Sequence, residues 1–151
     1  MPSLLRRLLL ATILATAIVH GGIPTPAHAI TRRTVIKRAR HWVKKRVRYS
    51  QRRYYRGYRR DCSGFVSMAW KLKKSYTSST IRRKAKRVPW RKLKPGDAVR
   101  RPGHVVIFAG WKNKRKRRYV SLEESTWGKP ARRRVKKLRR GESALRYKHI
   151  K

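Results

Sequence analysis

"DCSGFVSMAWKL", residues 61–72, is the stretch of sequence from which both the fold and the chemistry can be approached. Its apolar residues recur at helical spacing, so the stretch predicts a helix with a buried face. Asp61 is a favourable N-cap residue, which places Cys62 in the first turn. A helix N-terminus carries a partial positive charge, and that position therefore favours the thiolate form of a cysteine.

Cys62 is the only cysteine among the 151 residues, so it has no partner for a disulfide within the chain. Three interpretations remain open: an intermolecular link, an inert buried thiol and a reactive nucleophile. The sequence contains no Cys/His cluster with zinc spacing and no phosphate-loop or dinucleotide motif. We therefore expect neither a metal nor a cofactor.

The segments on either side of residues 61–72 predict the fold class. Residues 34–47 carry an apolar stripe at helical spacing, with Thr34 as its predicted cap, whereas residues 48–60 have no such stripe and predict a loop. "KPGD" (94–97) predicts a turn. Apolar runs then predict strands within 102–110, 119–125, 133–138 and 144–150. Helices followed by strands indicate an α+β domain, with N-terminal helices packed on an antiparallel sheet.

The first 29 residues have the pattern of a secretory signal peptide. Arg6 and Arg7 precede a 12-residue apolar run, and Ala27 and Ala29 form a small-x-small cleavage pattern. A membrane anchor is the alternative, but a spanning helix needs about 20 residues. We predict cleavage after Ala29, export from the cell, and one domain over residues 30–151, with no later stretch able to span a bilayer.

The charge balance points to a polyanionic partner. The chain has 46 Lys and Arg residues but only five acids, and its formal net charge is +41. Five Trp and seven Tyr argue against disorder, so we expect a folded domain with a cationic surface. The basic runs 112–118 and 129–140 predict a salt-sensitive attraction to anionic polymers. Nucleic acid would be attracted in the same way, but no recognised DNA-binding motif is present.

A nucleophilic cysteine needs a base, and His104 is the best placed histidine. It begins a buried strand, whereas His41 lies on the first predicted helix and His149 near the C-terminus. A hairpin across the basic turn would bring His104 opposite residues 123–125. Either Glu123 or Glu124 could then orient the imidazole, but only one of them can share its face of the sheet.

The blocks "DCSGFVSMAW", "LKPGDAV", "GHVVIFAGW" and "YVSLEES" resemble the secreted NlpC-type cell-wall cysteine peptidases, especially actinobacterial members. The resemblance implies a papain-like α+β fold. It also implies cleavage of peptidoglycan stem peptides, commonly between D-glutamate, through its γ-carboxyl, and diaminopimelate.

Carried over by position, the resemblance implies that Cys62 is the nucleophile, His104 the general base and Glu123 the third polar residue. It also implies that Asp61 and Ser63 lie near the free amine of the substrate. Tyr49 resembles a tyrosine near the cleft. The third position is more often His, Asn or Gln in this family, and a Glu there is similar to the CHAP amidases.

Two alternatives to the endopeptidase follow. An N-acetylmuramoyl-L-alanine amidase would use the same residues on a different bond. A non-catalytic cationic protein that binds the wall, membranes or nucleic acid would depend on charge and not on Cys62. Anionic wall polymers are also expected partners of the endopeptidase and of the amidase.

Overall fold

The computed structural model describes residues 29–151, and the predicted signal peptide lies, apart from Ala29, outside them. Two α-helices are present in this part of the chain: α1 (Arg32–Lys44) and α2 (Cys62–Ala69). The strands are β1 (Ser50–Tyr55), β2 (Tyr58–Arg60), β3 (Ala85–Arg87), β4 (Ala98–Arg101), β5 (His104–Asn113), β6 (Arg118–Glu123), β7 (Arg132–Lys137) and β8 (Ser143–Tyr147). Short 3-10 helices span Ile81–Lys84 and Trp90–Lys92.

Six of the strands form one antiparallel sheet in the order β3-β8-β4-β5-β6-β7, and β1 and β2 form a separate hairpin. All four strands predicted in the second half of the chain are present, and so is the turn at residues 94–97. The predicted α+β class, with helices on an antiparallel sheet, is therefore confirmed.

Helix α1 begins earlier than predicted. Its N-cap is Thr31, whose side-chain oxygen accepts a hydrogen bond from the backbone N–H of Thr34 at 3.2 Å. The prediction that Thr34 caps the helix was wrong, because Thr34 is the third helical residue and the donor of that bond. Val35, Ala39 and Trp42 form the buried face, as the apolar stripe predicted.

The prediction of a loop at residues 48–60 was also wrong. This segment contains the β1–β2 hairpin, joined by Arg56 and Gly57 with φ of 50° and 81°. Positive φ at both central turn residues matches the twist of a two-residue hairpin. Four of the six β1 residues are exposed, so the strand lacks the alternation of apolar and polar residues that sequence analysis relies on.

The sheet carries apolar side chains on both faces. On one face they pack against the two helices, and this larger core includes Trp42, Phe65, Trp70, Ile107 and Leu122. On the other face a smaller core surrounds Phe108 and Tyr119, with Trp90 and Trp111 at its edge. The helix-covered core fixes α2, and therefore Cys62, against β5.

Two contacts hold α2 in place. Gly64 lies so close to the end of β2 that an added Cβ would overlap the carbonyl oxygen of Arg59. At the other end, the indole N–H of the buried Trp70 donates to the carbonyl of Gly96 at 2.9 Å, in the turn before β4. The glycine of the "DCSG" stretch is therefore required by packing.

Asp97 joins distant parts of the fold. Its carboxylate is fully buried and pairs with Arg32 at 2.9 Å and Arg146 at 2.8 Å, and it accepts from the N–H of Lys94 at 2.9 Å. These contacts connect the start of α1, the turn before β4 and strand β8, so this acid has a structural role. Between residues 29 and 151, no helix is both long and apolar enough to cross a membrane.

Candidate active site

A cleft of ≈ 390 Å³ opens where the start of α2 meets the start of β5 and the end of β6. It brings together four of the six predicted site residues: Tyr49, Cys62, His104 and Glu123. The other lining residues are Arg101, Pro102, Gly103, Ser125, Thr126, Arg134 and Lys136. Neither His41 nor His149 lies in this cleft.

Cys62 is the first residue of α2, and only 7% of its surface is exposed. Its Sγ lies 3.9 Å from the carbonyl oxygen of Gly103, to which the thiol donates. Burial raises the pKa of the thiol, and a backbone hydrogen bond from Val105 opposes that rise only in part. Cys62 therefore rests as a neutral thiol at neutral pH.

His104 is also neutral at rest. Burial and the positive charges of Lys136 and Arg101 lower its pKa to about 4, against the opposing effect of Glu123. A neutral imidazole can accept a proton, which is what a general base must do. Among the described residues, no hydrogen bond joins His104 to Cys62 or to Glu123.

Glu123 is fully buried and holds several partners at once. Its carboxylate accepts from Lys136 at 3.0 Å, from the hydroxyl of Ser121 at 3.1 Å and from the hydroxyl of Ser125 at 3.2 Å, and Arg134 lies 3.8 Å away. Burial raises its pKa, but Lys136 and Ser121 outweigh that effect, so the net pKa is lowered. Glu123 is therefore an ionised carboxylate held chiefly by Lys136.

The strand register separates the two adjacent glutamates. Continued beyond its last pair, the β5–β6 register places His104 across from Ser125, on the face that also carries Glu123. Glu124 lies on the opposite face and is fully buried, with no hydrogen-bond partner among residues 29–151. Burial raises its pKa to about 9. Only Glu123 is placed to act on His104.

Asp61 and Ser63 do not line the cleft. Asp61 caps α2 by accepting from the N–H of Gly64 at 2.7 Å, which confirms its predicted capping role. It also accepts from the Ser63 hydroxyl at 3.2 Å and pairs with Arg59. The cation that Asp61 holds in this structure is thus a side chain of the protein itself.

Three cations of the cleft were not predicted from the sequence to be site residues: Arg101, Arg134 and Lys136. Arg134 and Lys136 alternate along β7, but their face is set by the pairing of β7 with β6, which the sequence does not reveal. Beside the cleft, Tyr49 packs edge-on against Trp127 with ring centroids 5.5 Å apart, and Trp127 is 59% exposed. Glu123 is the one acid of the described lining.

Within residues 29–151 no three His, Cys, Asp or Glu side chains lie close enough together to hold a metal ion. The lining of the cleft offers a thiol, an imidazole, a carboxylate and several cations.

Comparison with known proteins supports the fold. No protein-family model and no curated protein matches the chain. A solved structure of the Resuscitation Promoting Factor Interacting protein RipA, mutated at a histidine, is similar with a TM-score of 0.50 and 20% sequence identity. A second RipA structure, mutated at a glutamate, has a TM-score of 0.49 and 21% identity. Each match covers 77% of this chain and 61% of the RipA chain. At this sequence identity the comparison shows a similar α+β fold and nothing more specific.

Proposed function

We propose that the protein is a secreted peptidoglycan hydrolase, a cysteine endopeptidase that cleaves stem peptides in the cell wall. The observation that carries this proposal is the meeting of the lone thiol, at a helix N-terminus, with His104 and Glu123 in one cleft. The NlpC-like sequence blocks and the fold shared with the RipA structure support it. The bond we propose joins the γ-carboxyl of D-glutamate to diaminopimelate.

In this mechanism Cys62 and His104 begin the reaction as a neutral pair. His104 takes the thiol proton as Sγ attacks the scissile carbonyl carbon, so an imidazolium and a tetrahedral oxyanion form together. Backbone N–H groups at the start of α2 stabilise the oxyanion. The imidazolium then gives its proton to the leaving amine, and water hydrolyses the thioester with His104 again as the base.

Glu123 acts in this scheme through its charge. The carboxylate lies on the same sheet face as His104 and favours the imidazolium that forms during the reaction. Lys136 opposes it, because its positive charge disfavours the imidazolium and its ammonium occupies the carboxylate. The reactivity of the pair therefore depends on the balance between Glu123 and Lys136.

The charges of the cleft suggest which substrate groups are held there. Arg101 and Arg134 line it, and stem peptides carry free carboxylates that such cations bind. For Asp61 to bind a substrate amine, as the sequence resemblance implies, Arg59 would first have to leave its ion pair. We therefore propose that carboxylate recognition dominates and that Asp61 serves mainly to present Cys62.

The test is mass spectrometry of purified muropeptides after incubation with residues 30–151 under reducing conditions, beside Cys62→Ala and His104→Ala variants. We expect cleavage between D-glutamate and diaminopimelate by the wild type and at least a 100-fold loss in both variants. Full activity in either variant would overturn the assignment of the pair.

A second candidate is an N-acetylmuramoyl-L-alanine amidase, which the glutamate at the third position favours. It predicts release of the whole stem from the sugar in the same experiment. A folded, reduced wild type that cleaves nothing would instead support the non-catalytic cationic protein, whose effects would be lost at high salt and kept in Cys62→Ala.

A further inference from the structure

A second cavity, of ≈ 460 Å³, lies at the end of α2 that is remote from Cys62. Its walls come from the residues after α2, from the 3-10 helix Ile81–Lys84 and from the C-terminal segment. The eight residues of α2 separate it from the thiol by roughly 12 Å along the helix axis. It is therefore distinct from the candidate active site.

The cavity is strongly cationic. Five of its lining residues are Lys71, Lys73, Arg83, Lys84 and Lys148, and no acid lines it. None of the five forms a salt bridge within residues 29–151. Like charges that converge on a concave surface repel one another, and a bound anion relieves that repulsion.

Counter-ions for these cations are scarce within the protein. The chain has only five acids, and Asp61, Asp97 and Glu123 already pair with other Arg or Lys side chains. The cavity walls are also joined, because the N–H of Lys148 donates to the carbonyl of Lys84 at 3.0 Å. The site is therefore preformed and lacks an internal anion.

The aromatic residues of the cavity narrow the choice of polyanion. Lys84 lies over the ring of Tyr76 at 5.4 Å and Lys74 at 6.0 Å, while Tyr147 is buried and stacks on Trp70 at 5.6 Å. Proteins that bind single-stranded nucleic acid offer free aromatic faces to the bases. Here lysines lie over Tyr76 and Tyr147 is buried, so the exposed ring of His149 is the one open aromatic platform of the cavity lining, which favours a phosphate polymer without bases.

We propose that this cavity binds successive phosphates of a polyol-phosphate chain, the phosphodiester polymer of bacterial walls. The choice of a wall polymer rests on the proposed cell-wall function, whereas the binding itself does not involve Cys62 or His104. The site would hold the protein on the wall while the cleft, at the other end of α2, remains open to stem peptides.

The test measures binding of synthetic poly(glycerol phosphate) to residues 30–151 by titration calorimetry in about 0.15 M salt, where general charge attraction is partly screened. The cavity variant is Lys73→Gln, Arg83→Gln and Lys148→Gln. The matched control is Lys114→Gln, Arg115→Gln and Lys116→Gln, in the β5–β6 turn. Both variants remove two Lys and one Arg at exposed positions, so both should fold.

We expect at least a 10-fold loss of affinity in the cavity variant and less than a 3-fold loss in the control. Equal losses would overturn the proposal in favour of diffuse attraction. A single-stranded oligonucleotide with the same number of phosphates is a second probe, and tighter binding of that probe would overturn it in favour of nucleic acid.

Cleavage of soluble muropeptides, measured on the same variants, separates this proposal from the proposed enzyme. We expect the cavity variant to keep wild-type cleavage. If that variant selectively loses polymer binding and the wild type cleaves nothing, the proposed hydrolase activity is contradicted and the proposed polymer site is supported.

Discussion

Glu123 and Glu124 are adjacent in the sequence, yet β6 turns them to opposite faces of the sheet with opposite electrostatic consequences. Lys136 and two serine hydroxyls keep Glu123 ionised, while Glu124 is buried without a partner among the described residues. Their pKa values are accordingly shifted in opposite directions. The alternation of side chains along a strand predicts that only one of them shares a face with His104, but only the register shows which one.

Glu124→Gln should stabilise the protein at neutral pH. The folded-state pKa of about 9 lies above the unfolded value near 4.5, so at pH 7 the unfolded chain is ionised here and the folded chain is not. That difference opposes folding increasingly from pH 4.5 to pH 9 and is absent below pH 4.5. We expect a gain of roughly 2–4 kcal/mol at pH 7 and little at pH 4, measured by urea unfolding.

Glu123→Gln is the matched comparison and should have the opposite sign. Its folded-state pKa is lowered, so the ionised carboxylate stabilises the fold above the unfolded pKa, and this contribution is lost as pH falls. We expect Glu123→Gln to destabilise the protein at pH 7 and to approach wild type in acid. Equal effects of the two substitutions at pH 7 would contradict the environments described for the pair.

Lys136 should control the pH at which His104 becomes available as a base. Burial and then Lys136 lower the pKa of His104 to about 4, and Arg101 acts in the same direction while Glu123 opposes them. Lys136→Met removes one positive charge, so the acid limb of kcat/KM should move to higher pH, by up to about one pH unit. The pH dependence of Cys62 alkylation by iodoacetamide gives a second reading that does not require turnover.

Lys137→Met is the control for this prediction. Lys137 lies on the same strand as Lys136 and loses the same charge, but it is exposed and does not line the cleft. Its pH profile should match the wild type. An equal shift in both variants would show that the overall charge of the protein, and not the nearness of Lys136 to His104, sets the acid limb.

At the scale of elements, the sequence predicted those parts whose burial follows a simple period. α2 and the strands β5 and β6 have strong apolar patterns and appear where expected. The β1–β2 hairpin was missed because β1 is largely exposed and its turn is Arg-Gly, a weaker signal than Asn-Gly. The start of α1 was predicted wrongly because Thr31 and Thr34 are both suitable N-cap residues, and the helix begins after the first of them.

The candidate site shows the same contrast between residues on strongly patterned elements, which were predicted, and residues on exposed basic elements, which were not. Cys62 and His104 were identified because each lies at the boundary of a strongly patterned element. Lys136 was missed because it comes from a basic edge strand, and its contact with Glu123 depends on the pairing of β7 with β6. The pairing of Arg59 with Asp61 was accessible in principle, because residues two positions apart share a face in a strand, but residues 48–60 were predicted to be a loop.

Gly64→Ala should break the contact between α2 and β2. A methyl group at this position would overlap the carbonyl of Arg59, so either the helix or the strand end must move. We expect a loss of about 3 kcal/mol or more in urea unfolding, at the upper end for overpacking. Gly141→Ala is the control: its Cβ would meet open space, and only its positive φ of 84° opposes the change, at a cost of about 1 kcal/mol. Equal losses would mean that the close approach of α2 to β2 is not required.

At the scale of the whole molecule, the five acids are too few to balance the basic surface, and three of them hold specific positions in the fold or the candidate site. Asp61 caps the candidate nucleophile's helix, Asp97 joins three elements, and Glu123 lies beside the candidate base. Ion pairs that form around buried acids are shielded from salt, whereas the many exposed cations repel one another through solvent. Electrostatic interactions should therefore destabilise the folded protein on balance, because repulsion between surface cations outweighs the ion pairs.

The thermal midpoint should consequently rise with sodium chloride. Between about 0.01 M and about 1 M salt, the Debye length falls from about 30 Å to about 3 Å, which removes repulsion between surface cations. In a domain of this size, each gain of about 1 kcal/mol should raise the midpoint by about 4 °C. Most of the rise should come below about 0.2 M, where screening changes fastest and ion-specific effects on burial are small. A midpoint that falls with salt would mean that the ion pairs of Asp61, Asp97 and Glu123 outweigh the repulsion of the whole surface.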